Sequence, residues 1–376
     1  MKRIVTIQDI SCIGRCSLTA ALPVISCMGV ETCVIPTAVL SNHTAFPGFT
    51  FRNLTDEIGK IADEWERQGL HFDAIYTGYL GSVDQIRIVQ DFISRFRDEK
   101  TLVIVDPAMA DFGVLYKGFD KKFVTAMRRL CRNADIIVPN ITEAAFLLDE
   151  PYHDPWENKS SGNYEGKLTS EDAEAAMLHV RRLLRRLTDL GAKKAVLTGV
   201  RNMEGRIGSA AYDSREELFY EHFATFYPEH FHGTGDLYAS VLTGALTRGV
   251  ELRESMGLAV DFIAECARIT LRDPDHRWYG VNFEEAIPYL VDRLRAKQEE
   301  PGSPILRYGI LGFRSPKKRT VQTIGERQQE KRNVYQLNHQ RKVHQPNYQR
   351  KGSSTKIINE NVIKAESPLH KGFIFV

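Results

Sequence analysis

Up to about Arg295, short runs of β-branched residues alternate with longer segments whose apolar positions recur every three to four residues. The runs Arg3–Ile7, Thr32–Val39, Phe72–Thr77, Thr101–Asp106, Asp135–Pro139 and Lys194–Thr198 are mostly continuous apolar stretches. That is the pattern of strands buried on both faces of a parallel sheet. Between them, Ser17–Met28, Asp56–Gln68, Val83–Arg97 and Lys121–Cys131 carry helical spacing, as in Ile58, Ile61, Ala62 and Trp65. The best-marked helix spans Ser170–Leu190: Thr169 can cap it, Asp172 follows three residues on, and Gly191 stops it. Its stripe is Ala176, Val180, Leu183, Leu184 and Leu187.

Repetition of this β-α-β rhythm predicts a three-layer α/β/α sandwich around a mostly parallel sheet. Ile207–Tyr212 and Glu217–His222, flanking Asp213-Ser214-Arg215, break the rhythm and predict an antiparallel hairpin at a sheet edge. Helices over Thr234–Gly249 and Glu254–Leu271, and a shorter one after Asn282, close the domain. Trp278 and Tyr279 are expected to pack on that last helix, with a dimer contact as the alternative. Glu150–Gly166, polar and broken by Pro151, Pro155, Gly162 and Gly166, reads as a surface insertion, either a cover over a site or an inert loop.

Charge divides the chain. The formal net charge is +2, but Pro301–Val376 holds 15 Lys and Arg against 4 Asp and Glu, which is +11 and leaves −9 for residues 1–300. The expected division is a catalytic domain over 1–296 and a basic, disordered extension over 297–376. Such a tail can bind nucleic acid by counterion release, although a solvated segment without a partner is the simpler expectation. A frame-altered or read-through extension would look the same. Six scattered cysteines form no C-x-x-C pair, which predicts reduced thiols rather than a zinc site or a disulfide framework. No run approaches the roughly 18 apolar residues of a membrane span, and the first residues read as a strand rather than a signal peptide. A cytoplasmic protein with no membrane partner is expected.

Neither G-x-x-x-x-G-K-[ST] nor a full G-x-G-x-x-G after the first strand is present, which removes two common nucleotide-binding readings. In their place, Gly233-Thr234-Gly235-Asp236 stands directly ahead of a helical run. Glycines let backbone approach a ligand closely, and the helix start offers free N–H groups to an anion such as phosphate. Asp236, in the same turn, can accept a proton from an alcohol; its ordinary pKa near 4 would keep it charged. The alternative is a plain helix start with a favourable acidic residue. Asn140 and Glu143, three apart after a buried strand, could hold a hydrated Mg²⁺ or simply cap a turn. Asp106 and Thr198-Gly199 fall where ligands bind in open parallel sheets, at the carboxyl ends of the strands.

Ile7-Gln8-Asp9, Ser41-Asn42-His43-Thr44, Thr77-Gly78-Tyr79-Leu80-Gly81, Asp106-Pro107 with Asp111, Pro139-Asn140-x-x-Glu143 and Gly233-Thr234-Gly235-Asp236 together resemble the pyridoxal kinases of the ribokinase-like superfamily, in family order over about residues 1–295. The resemblance implies ATP-dependent phosphorylation of the 5′-hydroxymethyl group of pyridoxal, pyridoxamine or pyridoxine. It also implies Mg²⁺, often K⁺, and a homodimer. By the same resemblance Asp236 is the general base and Gly233, Thr234 and Gly235 form the anion hole. Asn140 and Glu143 organise the metal through water, with Asp106 and Asp111 beside the nucleotide phosphates, and Thr198 and Gly199 meet ATP. Thr44 and Tyr79 touch and stack on the pyridine ring, with His43 nearby. The chain departs from the pattern at Asp9, where family members commonly carry serine. A carboxylate there would favour a protonated ring nitrogen or an amine. His232 stands where some related kinases place an aldehyde-trapping cysteine; it is expected to pack rather than react, and Cys12 and Cys16 are not expected to trap the substrate. Two alternatives remain: a hydroxymethylpyrimidine or other small-alcohol kinase, and a non-catalytic B6- or nucleic-acid-binding protein acting through its basic tail.

Overall fold

A computed structural model describes residues 1–156, 169–202 and 205–299. The extension beyond residue 299 and Glu150–Gly166 beyond Trp156 lie outside the described residues, while residues 297–299, expected to open the disordered extension, continue the last helix.

The chain opens with β1 (Arg3–Ser11), α1 (Ser17–Cys27), β2 (Glu31–Leu40) and β3 (Phe51–Asn53), then α2 (Thr55–Arg67) and β4 (Ala74–Thr77). Next come α3 (Val83–Phe96), β5 (Leu102–Val105), a small ribbon β6 (Ala110–Asp111) and β7 (Val114–Leu115), α4 (Lys121–Arg132), β8 (Ile136–Ile137) and α5 (Ile141–Leu148). It continues through α6 (Ser170–Asp189), β9 (Lys194–Arg201), β10 (Ile207–Asp213), β11 (Leu218–Ala224), α7 (Thr234–Thr247), α8 (Leu252–Thr270) and α9 (Phe283–Glu299). Nine strands form one sheet in the order β11-β10-β9-β8-β5-β4-β1-β2-β3. The strands from β9 through β2 in that order pair in parallel, while β10, β11 and β3 are antiparallel at the two edges.

Alternation along each strand feeds two cores. Ile4, Tyr76, Ile104 and Val196 meet α1, α7, α8 and α9 on one face. Val5, Ile75, Val105 and Leu197 meet α2 through α6 on the other. Two-sided burial is why these strands read as continuous apolar runs. The cap expected on α6 is in place: the Thr169 hydroxyl accepts the Asp172 N–H at 3.1 Å.

Several boundaries differ from the sequence reading, each for a tertiary reason. β1 runs past Ile7 to Ser11 because β2 continues to pair with it through Ile10↔Val39 and Ser11↔Leu40, beyond an irregularity in register. β9 runs past Thr198 to Arg201 because β10 pairs with it antiparallel after its parallel neighbour β8 has ended. The last helix, α9, expected to be shorter than the two before it, covers 17 residues, shorter than α8 but longer than α7. The Trp278 ring lies 4.6 Å from Phe46 and 6.1 Å from His232, and Phe46 also meets Tyr279 at 5.3 Å. All six cysteines are free, with Cys16, Cys131 and Cys266 buried. No helix among the described residues is long and apolar enough to cross a membrane.

Candidate active site

The chain places β2 on one side of β1 and later returns to place β4 on the other. Connections therefore diverge at the carboxyl ends of β1 and β4, the crevice in which open α/β sheets bind ligands. Asp9 sits near the end of β1, Thr77 ends β4 with Gly78-Tyr79 after it, and Asp106 follows β5.

Asp236 occupies the first turn of α7. Gly233 caps that helix in the left-handed region with φ 77°, and a Cβ there would stand 2.2 Å from the Arg15 carbonyl oxygen, so only glycine fits. No side chain caps α7, which leaves its N-terminal N–H groups for a ligand. The Asp236 Oδ2 accepts the backbone N–H of Ser17, the first residue of α1, at 2.9 Å. Burial raises its carboxyl to about 6, opposed by the Ser17 N–H and assisted by the nearby charge of Asp9. The ordinary value near 4 expected from sequence is thus corrected by desolvation, yet the group remains mostly ionised at neutral pH.

Asp9 is buried and accepts the Ser11 hydroxyl at 2.9 Å. Burial raises its pKa, with the Ser17 and Ser11 hydroxyls acting against that rise. Tyr79, pushed up to about 12 by burial and then by the charge of Asp9, stacks on Phe119 at 5.7 Å. His43 is half-buried, and its ring lies 4.8 Å from His232, which lies 4.8 Å from His230. Burial, then His230 and His43, lower His232 to about 4, so it is neutral and packs as expected. Thr44 is solvent-exposed.

Asn140 and Glu143 form a capping box on α5: Asn140 Oδ1 accepts the Glu143 N–H at 2.8 Å and Glu143 Oε2 accepts the Asn140 N–H at 2.9 Å. They also clip the β6–β7 ribbon to the helix, since Glu143 Oε1 accepts the Met109 N–H and Asn140 Nδ2 donates to the Ala110 carbonyl, each at 2.9 Å. The capping reading is therefore realised, and it places Asp111 and Asp106 within reach of the same charge. Burial lifts Glu143 to about 8 and Asp111 to about 6, while Asp106 is raised by burial and then by Glu143 and Asp236. Among the described residues no three metal-ligating side chains converge on one point. A dense group of buried carboxylates without direct ligand geometry fits a hydrated Mg²⁺ carried on phosphate oxygens, because such an ion keeps its waters.

Beside the start of α7 an apolar cavity is lined by Thr198, Gly199, Thr234, Tyr238, Val260 and Ile263. Gly199, with φ 73°, sits near the register shift between β9 and β10. The structure thus joins the two expected nucleotide contacts to the helix start through one cleft. Tyr238, Val260 and Ile263 were not legible as site residues, since their spacing is that of any buried helix. Ser17 was equally hidden, because it contributes its backbone.

Fold and glycine-lined acidic helix start together define a ribokinase-like kinase. The chain belongs to the family described as phosphomethylpyrimidine kinase, whose model matches residues 16–276. A Bacteroides thetaiotaomicron protein of the phosphomethylpyrimidine kinase type, in a crystal form with pyridoxal, is 38% identical with a TM-score of 0.68, covering 77% of this chain and 95% of that one. The crystal structure of pyridoxal kinase from Lactobacillus plantarum is 29% identical with a TM-score of 0.66, covering 80% and 99%. A Schizosaccharomyces pombe protein of the pyridoxal kinase type is 28% identical over 152 residues, 39% of this chain, so the match spans about half (48%) of that relative. The resemblance to pyridoxal kinases drawn from the sequence motifs is borne out.

Proposed function

We propose that the protein transfers the γ-phosphoryl group of ATP to the 5′-hydroxymethyl group of pyridoxal, pyridoxamine or pyridoxine. The observation that carries this reading is the Asp236 carboxylate, oriented by the Ser17 N–H at the uncapped start of α7, next to a cleft that contains Thr198 and Gly199. The crystal form with pyridoxal of a 38% identical protein supports the substrate class.

Asp236 takes the hydroxyl proton as the substrate oxygen bonds to the γ-phosphorus and the bond to the ADP oxygen breaks. The N–H groups at Gly233, Thr234 and Gly235 face the charge on the transferring group, where fixed dipoles count most. Asp9, His43, Thr44 and Tyr79 orient the ring, and the cleft at Thr198 and Gly199 takes the nucleotide. Mg²⁺, held through water by Asn140 and Glu143 with Asp106 and Asp111 alongside, would neutralise phosphate charge. A monovalent ion such as K⁺, a homodimer and a cytoplasmic setting belong to the same proposal. So does the division into a catalytic body, 1–296, and an extension, 297–376, without a catalytic part.

The second reading, a hydroxymethylpyrimidine kinase, is favoured by the name of the matching family. Release of ADP measured with pyridoxal, pyridoxamine, pyridoxine and hydroxymethylpyrimidine separates the two. Turnover with the vitamers is expected, and turnover confined to the pyrimidine overturns the proposal. Removal of residues 301–376 is expected to leave vitamer kinetics unchanged; loss of salt-sensitive RNA binding on that deletion would instead support a nucleic-acid role for the tail.

A further inference from the structure

Between β1 and α1 the backbone takes two left-handed turns at residues that are not glycine, Arg15 with φ 50° and Ser17 with φ 49°. Such conformations cost free energy and persist only where surrounding contacts enforce them. Here the contacts are specific. The Arg15 carbonyl packs on Gly233, and a Cβ on Gly280 would meet the Arg15 Cβ at 2.8 Å. The Arg15 guanidinium donates to Asn282 Oδ1 and pairs with Glu284 at 3.3 Å. Asn282 is itself fixed, since its N–H donates to the Thr270 hydroxyl at 2.7 Å and its Nδ2 to Asp273 Oδ2 at 3.0 Å. Two residues beyond Arg15, the Ser17 N–H reaches Asp236.

We infer that Arg15 is a positioning residue for the proposed phosphoryl transfer: anchored by Asn282 and Glu284, it holds the 14–17 segment so that the Ser17 N–H aims the Asp236 carboxylate and the Arg15 carbonyl supports the anion-hole turn at Gly233. The inference rests on the reading of Asp236 as the general base. Arg15 touches neither reactant in this scheme; its effect passes through backbone. Among the described residues, the titratable groups coupled to the Asp236 charge are Asp9 on β1, Cys16 in the segment itself, Tyr76 on β4, Asp106 after β5 and Tyr116 after β7. None of these is a cation, so the Ser17 N–H is the group that favours the charged form of Asp236.

Arg15→Ala, Asn282→Ala and the double variant are compared in the full chain. Expected are a fall in kcat of roughly 10- to 100-fold with KM for ATP little changed, as misorientation at a reacting group produces, and a double variant no worse than the worse single one. In parallel, ¹³C-carboxyl NMR of Asp236, assigned with Asp236→Asn, follows its titration without any substrate. Loss of the Ser17 hydrogen bond removes a contact that favours the charged form, so the Asp236 titration moves to higher pH in all three variants. An unmoved titration in folded Arg15→Ala, or additive losses in the double variant, overturns the positioning role. A wild-type protein inactive on every vitamer, with the titration still shifted in the variants, would instead remove the substrate assignment and leave the anchor standing.

Discussion

At the scale of single residues, two carboxylates near the end of β1 and the start of α7 take different parts in the proposed reaction. Asp236 has an N–H donor from a neighbouring helix and a carboxyl raised to about 6. Asp236→Asn is expected to keep nucleotide and vitamer binding while lowering kcat by roughly 10²–10⁴-fold, the usual general-base contribution. In the wild type, kcat/KM should fall as the pH drops through about 6, measured as a pH–rate profile. Asp9 accepts the Ser11 hydroxyl at 2.9 Å, with the Ser17 hydroxyl and a backbone N–H also favouring its charged form, and in the proposed complex it would accept a further proton-bearing group. Asp9→Ser should shift the ratio of kcat/KM between pyridoxamine and pyridoxal toward pyridoxal; an unchanged ratio would remove Asp9 from substrate choice. The identity of both residues was legible in the sequence. Their shared neighbour Ser17 was not, because no side-chain pattern marks a backbone donor.

At the scale of elements, the proposed nucleotide cleft depends on strands meeting more closely than side chains permit. A Cβ on Gly208 in β10 would lie 1.9 Å from the His222 carbonyl oxygen of β11. Gly208→Ala must therefore splay the edge hairpin that helps line the cleft. Expected are a raised KM for ATP with kcat largely retained, and a loss of stability of about 1–3 kcal/mol by analogy with overpacked sites, read from denaturant unfolding. The hairpin itself was visible as alternation around Asp213-Ser214-Arg215. The continuation of β9 through Gly199 was not, since it depends on antiparallel pairing with β10 beyond the end of its parallel partner.

At the scale of the molecule, burial of acidic groups sets a pH dependence of stability. Asp111 and Asp236, near 6, and Glu143, near 8, titrate above the ordinary carboxylate range near 4. Between about pH 4 and 8 these groups make the folded state bind more protons than the unfolded one, so by linkage their contribution to stability rises as pH falls through 8 and 6. His43 and His232 act in the opposite direction: their lowered values mean the unfolded chain binds the extra protons below about 6.5, and stability is lost there. Melting temperature should therefore rise as pH falls from about 8.5 to 6.5, the range in which the histidines do not yet oppose the carboxyl groups. Mg²⁺ with nucleotide should restore part of the alkaline loss, because a cation bound near these carboxylates favours their charged forms.

Local order was within reach of the sequence: buried parallel strands, amphipathic helices, the capped start of α6 and the acidic glycine turn all arise from short-range spacing and backbone chemistry. What only the folded chain decided depends on groups far apart along it. The reversal of strand order around β1, the capture of Asp236 by Ser17 across 219 positions, and the anchoring of Arg15 by Asn282 are of that kind. Desolvation of the acidic cluster is another, because a carboxylate's proton affinity reflects how much water packing removes from it, and no spacing of residues in the sequence records that.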